Sequence, residues 1–345
     1  MILHSFAQQV LTEVPIDETL SSYSDVAFQT AFALYAVAMV AAVVYYAMFR
    51  EPRAAAQIAA GVRQTGYRER PDGDVLIRST SLTGTGEEYR HSDRGASWAK
   101  IALLFTSIAF VFHAASVLLR GLATDRMPLG NMYEFISFTC LLAIGASLTA
   151  LRKPALRTAW PFILAPILIL LFFGGTNLYS EAAPVVPALR SYWLPIHVSI
   201  IGLGAALFLV SGIASVLYLL RIWQPKGQEH GRFAGLARPL PADEILDRVA
   251  YRTAVIGFPI FSVGVILGAV WAEGAWGRFW GWDPKETVSF ISWVIYAGYL
   301  HARSTSGWGP KRAAWINILG FATTVFNLFF INIVVSGLHS YAGLN

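Results

Sequence analysis

Apolar runs of about 20 residues recur along the whole 345-residue chain, and they constrain its fold more than any other feature. A helix needs roughly 20 mostly apolar residues to cross the hydrocarbon core of a bilayer. Eight runs approach that length: 26–49, 98–120, 132–151, 158–178, 193–220, 251–272, 286–303 and 312–336. The fourth contains Pro161 and Pro166, the fifth starts near Pro195 and the sixth contains Pro259. Neighbouring helices can satisfy the backbone groups that such prolines free. Charged residues are 14% of the chain, against about a quarter in soluble domains, so a single soluble core is the poorer reading. The expected fold class is all-α, a polytopic transmembrane helical bundle of about eight spans.

Charge then orients the bundle. Of 26 Lys and Arg, 20 fall in the alternate segments 50–97, 152–157, 221–252 and 303–312. The opposite segments hold only Arg126, Arg190, Arg278 and Lys285, and the first 25 residues hold none. Cytoplasmic loops carry the excess of basic residues, so both termini are expected to be extracytoplasmic. Residues 1–97 read as an N-terminal tail, the first span and a long cytoplasmic loop; residues 98–345 read as one transmembrane domain of seven spans with a Trp-rich extracytoplasmic loop at 271–286. The N-terminus lacks the pattern of a cleavable signal peptide, so the first span is expected to act as its own insertion signal. In the long loop, Gly84-Thr85-Gly86 lacks the Gly-Lys-Ser/Thr of a phosphate loop. The stretch from Arg53 to Arg63 is a candidate for lying on the membrane surface.

Two further classes drop out. The one cysteine, Cys140, excludes a disulfide framework or a Cys-x-x-Cys centre within the chain. The basic residues are spread over several loops and form no stripe with interleaved aromatics, so no nucleic-acid partner is expected.

The loop at 271–286 holds Trp271, Trp276, Trp280, Trp282 and Phe279, interspersed with glycine. One interfacial Trp is ordinary belt anchoring. Four in so short a stretch make a flat aromatic surface that suits a large planar ligand, because stacking rewards flat contact; an aromatic belt is the plainer alternative. His197, near the start of the fifth span, and His339, just past the eighth, fall on the same side. Each alone reads as a hydrogen-bonded structural histidine; two at one depth beside an aromatic loop point to axial ligation of haem iron. Arg278 and Lys285 are candidates to pair with haem propionates, or are simply loop charges. Asp283 and Glu286 are placed to cap the following helix. His301 lies at the inner end of the seventh span and is a candidate for a second haem position. His113, within the second span, is either functional or satisfied by a neighbour. His4, His91 and His230 carry no assigned role.

The run from Trp276 to Glu286 reads Trp-Gly-x-x-Trp-x-Trp-Asp-Pro-Lys-Glu and resembles the tryptophan-rich signature of the haem handling proteins. Within these the chain is most similar to the CcsA/ResC subunit of the System II cytochrome c synthase. Pro128 to Glu134, Trp193 to Val198, Tyr251 to Thr253 with Gly257 to Pro259, Tyr299 to His301 and Gly337 to Tyr341 look like family blocks in family order. The resemblance covers roughly residues 100–343 and departs from the family pattern after His339, with Ser-Tyr-Ala-Gly in place of Ser-Tyr-Gly.

The resemblance implies haem b as cargo, with His197 and His339 as external ligands and His301 as ligand of a haem within the membrane. Trp271, Trp276, Trp280, Trp282 and Asp283 would complete the binding loop. It implies haem delivery to the Cys-x-x-Cys-His segment of an apocytochrome c, and activity as a subunit of a holocytochrome c synthase. The implied partners are a CcsB/ResB-type membrane subunit and the apocytochrome, with a thioredoxin-like thiol reductase as a further candidate. The implied setting is a bacterial plasma membrane, or a thylakoid membrane if the chain comes from a plastid. Two other readings stand beside it: a di-haem membrane cytochrome for electron transfer, and a transporter for an anionic amphiphile with the Trp loop as its gate.

Overall fold

The computed structural model describes residues 16–48, 86–184 and 189–339. The N-terminal tail, most of the long loop with its Arg53–Arg63 stretch, and the residues after His339 lie outside the described residues. Eight long helices run through the remainder: α1 Glu18–Met48, α2 Gly86–Thr124, α3 Met132–Ala150, α4 Trp160–Asn177, α5 Trp193–Trp223, α6 Asp243–Trp276, α7 Pro284–Ser304 and α8 Pro310–Phe326. A π-helical turn, Asn327–Ile331, extends α8. No strand occurs among the described residues.

Seven of the eight are long and apolar enough to cross a membrane, making the chain a multi-pass membrane protein. The expectation of eight differs at α7. Its first turn carries Lys285 and Glu286, its last turn His301 and Arg303, and its middle carries serines. Those serines face protein rather than lipid: Ser292 is bonded to Thr323 on α8 at 3.1 Å, and Ser289 to Asn327 at 2.7 Å. The 21 residues of α7 still span about 30 Å at the helical rise.

Several helices outrun their apolar segments. α6 begins at Asp243 and Glu244, whose carboxylates complement the positive end of the helix, and stops at Gly277 in the left-handed conformation, φ 70°.

The helices form two groups, α1–α4 and α5–α8, joined where α3 packs on α5. α1 meets its neighbours through a stripe of small buried residues, Ala27, Ala31, Ala38 and Ala42. The α5–α6 contact is closer still. A Cβ on Gly264 would lie 2.7 Å from Ile201 Cα, and one on Gly204 would lie 2.8 Å from the Phe261 backbone. Apolar side chains gain little by leaving lipid for another helix, so membrane helices associate where small residues let backbones approach.

Buried ion pairs lock both ends of the bundle. At one end Glu134, its side chain wholly buried, bonds Arg120 Nε at 3.0 Å and Arg126 at 2.9 Å. Its carboxylate also accepts the Gly130 N–H at 2.7 Å, while Asn131 caps α3 by accepting the Glu134 N–H. This fixes the turn from Leu129 to Asn131. At the opposite end Arg221 pairs with Glu229 at 2.8 Å and donates to the Leu240 carbonyl at 2.9 Å, pinning the α5–α6 connection.

Candidate functional site

The site grows from the short link between α6 and α7. After Gly277 the chain turns through Trp282, whose φ of +58° is uncommon for a residue with a side chain. The turn delivers Asp283 to the N-cap of α7. A capping box closes there, with Asp283 accepting from the helix start and Glu286 accepting the Asp283 N–H at 3.1 Å. Glu286 also accepts the Gly281 N–H at 2.8 Å and pairs with Arg278 at 3.4 Å, so the carboxylates expected to cap this helix do so.

Asp283 has a second role. Its Oδ2 accepts from His339 Nδ1 at 2.7 Å, and its Oδ1 accepts the Leu338 N–H at 2.9 Å. Burial raises the Asp283 pKa, but these bonds outweigh it and hold the carboxyl below its ordinary value. Burial likewise lowers the pKa of His339, against the pull of Asp283. A neutral imidazole that donates through Nδ1 carries its lone pair on Nε2.

His197 reaches the same state by another route. Its Nδ1 lies 2.8 Å from the Gly264 carbonyl, which can only accept, so Nδ1 carries the proton and Nε2 the lone pair. Gly268, one turn along α6, leaves room for the ring: a Cβ there would lie 2.6 Å from His197 Cε1.

Trp271 touches both histidines. It is 2% exposed, stacks on His197 at 6.0 Å with planes 11° apart, and meets His339 edge-on at 5.6 Å. Trp276 meets Trp271 at 4.8 Å and His339 at 4.9 Å, both edge-on. The tryptophans therefore do not form the flat surface expected from their spacing. Trp271 and Trp276 are packing partners that wedge the imidazoles. Trp280 lines the cavity, while Trp282 is 65% exposed and lies edge-on to Trp280.

These groups surround a cleft enclosing about 1170 Å³ with its open mouth included. Its walls are mostly apolar, among them Leu129, Phe135, Leu194, Val265 and Phe279, and both His197 and His339 face it. Among the described residues no group of three or more His, Cys, Asp or Glu converges to hold a bare metal ion. Two imidazoles underfill a zinc site, which takes at least three protein ligands. Two is the number of axial positions on an iron already held in the plane of a macrocycle.

The family model described as "Cytochrome C assembly protein" matches residues 129–339. A "Cytochrome c biogenesis protein CcsA" from Synechococcus sp. (strain RCC307) is 37% identical over 276 residues, covering 71% of this chain and 86% of that one. The chain belongs to the CcsA family of cytochrome c assembly proteins. The CcsA of Guillardia theta is 35% identical over 242 residues, covering 66% of this chain and 80% of its own. The "Cytochrome c Heme Lyase CcmF" shares the fold, with a TM-score of 0.58 at 18% identity. That match covers 90% of this chain but only 46% of the CcmF chain. As a CcsA-family member the chain acts in cytochrome c biogenesis.

The other histidines lie elsewhere in this CcsA-type bundle. His301 is exposed in the last turn of α7, at the opposite end from the cleft. His113 is wholly buried, with Nε2 3.0 Å from Ser137 Oγ and Nδ1 3.5 Å from Tyr35 OH. Its bonds are met within α1–α3, the reading in which a neighbour satisfies it. Asn327, Asn332, Gly264 and Gly268 join the site without having stood out in the sequence. Only the glycines left a signal, the small-x-x-x-small spacing of 264 and 268 on an apolar helix.

The contact at Gly268 carries a prediction. Gly268→Ala puts a methyl against an imidazole that the Gly264 carbonyl holds in place, so the ring must turn. Ligand affinity is expected to fall about tenfold, in line with outer-contact changes at ligating histidines, with thermal stability little changed. Unchanged affinity in a visible-absorption titration would show that Gly268 does not set the ring.

Proposed function

We propose that the chain holds haem b in this cleft at the extracytoplasmic face, between His197 and His339, and presents it to an apocytochrome c as one subunit of a holocytochrome c synthase. The observation that carries this reading is the convergence of two Nδ1-bonded imidazoles, wedged by Trp271, on one apolar cleft. Placement of the cleft outside rests on the basic residues: 20 of 26 lie in the segments of opposite side, and both termini are then extracytoplasmic.

The chemistry is addition of two thiols from a Cys-x-x-Cys-His segment across the two haem vinyl groups. Each S–H gives its sulfur to one vinyl carbon and its hydrogen to the other, with no net redox change. This chain's residues bind and orient: the imidazoles hold the iron, the apolar walls exclude water, and the mouth admits the substrate peptide. Rate then comes from positioning. Its single cysteine is buried, in keeping with thiols that arrive on the substrate.

His301 would ligate a haem at the cytoplasmic end, with its opposite ligand from a CcsB/ResB-type membrane subunit. A thioredoxin-like reductase would keep the substrate thiols reduced. The host membrane is a bacterial plasma membrane or a plastid thylakoid, in line with the cyanobacterial and algal relatives.

The test is visible spectroscopy of the chain purified with its partner subunit. His197→Ala and His339→Ala are each expected to convert a bis-imidazole Soret spectrum to a weaker five-coordinate one, and the pair together to remove the outer haem. A bis-imidazole band that survives both substitutions, read in a background lacking His301, would sink the proposal.

A further inference from the structure

The cleft wall carries a polar cluster that axial ligation does not use. Lys285, in the first turn of α7, lines the cleft with its Nζ bonded to Asn332 Oδ1 and lying 5.2 Å above the Phe135 ring. Among the described residues no carboxylate forms an ion pair with this amine: that of Asp283 acts on it from further off and is bonded to His339 and the Leu338 N–H. Arg278, the other loop cation, is already paired with Glu286 at 3.4 Å. An ammonium in a largely apolar cleft is costly unless an anion meets it.

Asn327 and Asn332 add to this. Both line the cleft, at 6% and 3% exposure. On an α-helix residues five apart point about 140° away from each other; the widened turn Asn327–Ile331 brings both to the cleft. Asn332 is engaged at both ends of its amide, accepting from Lys285 and donating to the Leu328 carbonyl at 2.6 Å. Asn327 is not. Its Nδ2 meets Ser289 Oγ at 2.7 Å, while its Oδ1 is buried without a hydrogen-bond partner. Its Nδ2 also reaches the Lys285 carbonyl at 3.4 Å, which ties Asn327 to the backbone of the residue that carries the amine.

We propose that Lys285, with Asn332 holding the amine in place and Asn327 beside it, forms a subsite for a carboxylate of the ligand that His197 and His339 hold. This rests on the haem reading above, and the carboxylate is then a propionate of the macrocycle. The subsite fixes the rotation of the ring about its axial direction. Two imidazoles alone leave that rotation open, yet it decides which vinyl group faces which incoming thiol.

The test compares haem with its dimethyl ester, titrated at the Soret band into the apo form of the complex with its partner subunit. Wild type is expected to bind the free acid about 10–100-fold more tightly than the ester, the worth of a charge-assisted hydrogen bond. Lys285→Met should erase that preference by weakening the acid alone, with the ester affinity and the bis-imidazole band position unchanged. Asn327→Asp, which sets a second carboxylate in the subsite, should weaken the acid more than the ester, and provides the readout if Lys285→Met does not accumulate. Equal binding of acid and ester by wild type, or equal weakening of both by these substitutions, overturns the subsite. A failure of axial ligation reads differently: the bis-imidazole band is then missing for acid and ester alike, while their affinity ratio still reports on Lys285.

Discussion

Asp283→Ser is expected to keep α7 folded and yet lower haem affinity and cytochrome c assembly by about 10–100-fold, the usual cost of losing the group that orients a metal-ligating histidine. Serine is as good an N-cap as aspartate, so the helix start survives. What is lost is the 2.7 Å bond to His339 and the 2.9 Å bond to the Leu338 N–H, which together hold the segment after α8 against the start of α7. The measurement pairs a haem titration with circular dichroism. Wild-type affinity would separate His339 from ligation; a loss of helix content would mean that the cap, not the imidazole, was disturbed. Asp283→Ala removes both roles and sets the lower bound.

Glu134→Ala should destabilise the bundle by about 3–5 kcal/mol, because removing one member of a buried ion pair leaves charge without compensation. Here two guanidiniums are left, Arg120 and Arg126, on a carboxylate that is 0% exposed. The effect reaches the cleft, since the same carboxylate holds the Gly130 N–H and with it the turn that presents Leu129 and Asn131 to the cavity. Thermal unfolding in detergent reads the loss. Melting together with wild type would mean that Arg120 and Arg126 find other partners, such as Asp25, now 3.7 Å from Arg120.

Much of this was legible in the sequence, for physical reasons. Spanning runs are long and uninterrupted, so the helices fell where the apolar segments lay. α7 was read as a span from its length, although its serines lower its apolarity; they are bonded to α8, which no count along one helix reveals. The capping of α7 was legible because Asp283 and Glu286 stand three apart ahead of an apolar run, the spacing of a capping box. The tryptophans misled in detail. Spacing places four indoles near each other but says nothing of ring planes, and tertiary packing turned Trp271 and Trp276 edge-on to each other. The second role of Asp283 was hidden because His339 lies 56 residues away. Asn327 and Asn332 were hidden too, since a π-helical turn has no reliable sequence signature and α-helical spacing would keep them apart.

Helix α7 has one more property, a mechanical one. It runs from Pro284 to Ser304 with no proline after its first position, carrying the Asp283 cap at one tip and His301 at the other. An unbroken helix of about 30 Å behaves as a lever. Tilting it by roughly 10° about its midpoint displaces the two tips in opposite directions by about 2.5 Å each, given that length. That exceeds the slack of a 2.7 Å hydrogen bond such as the one between Asp283 and His339. A pull on the His301 tip is therefore felt at the far imidazole.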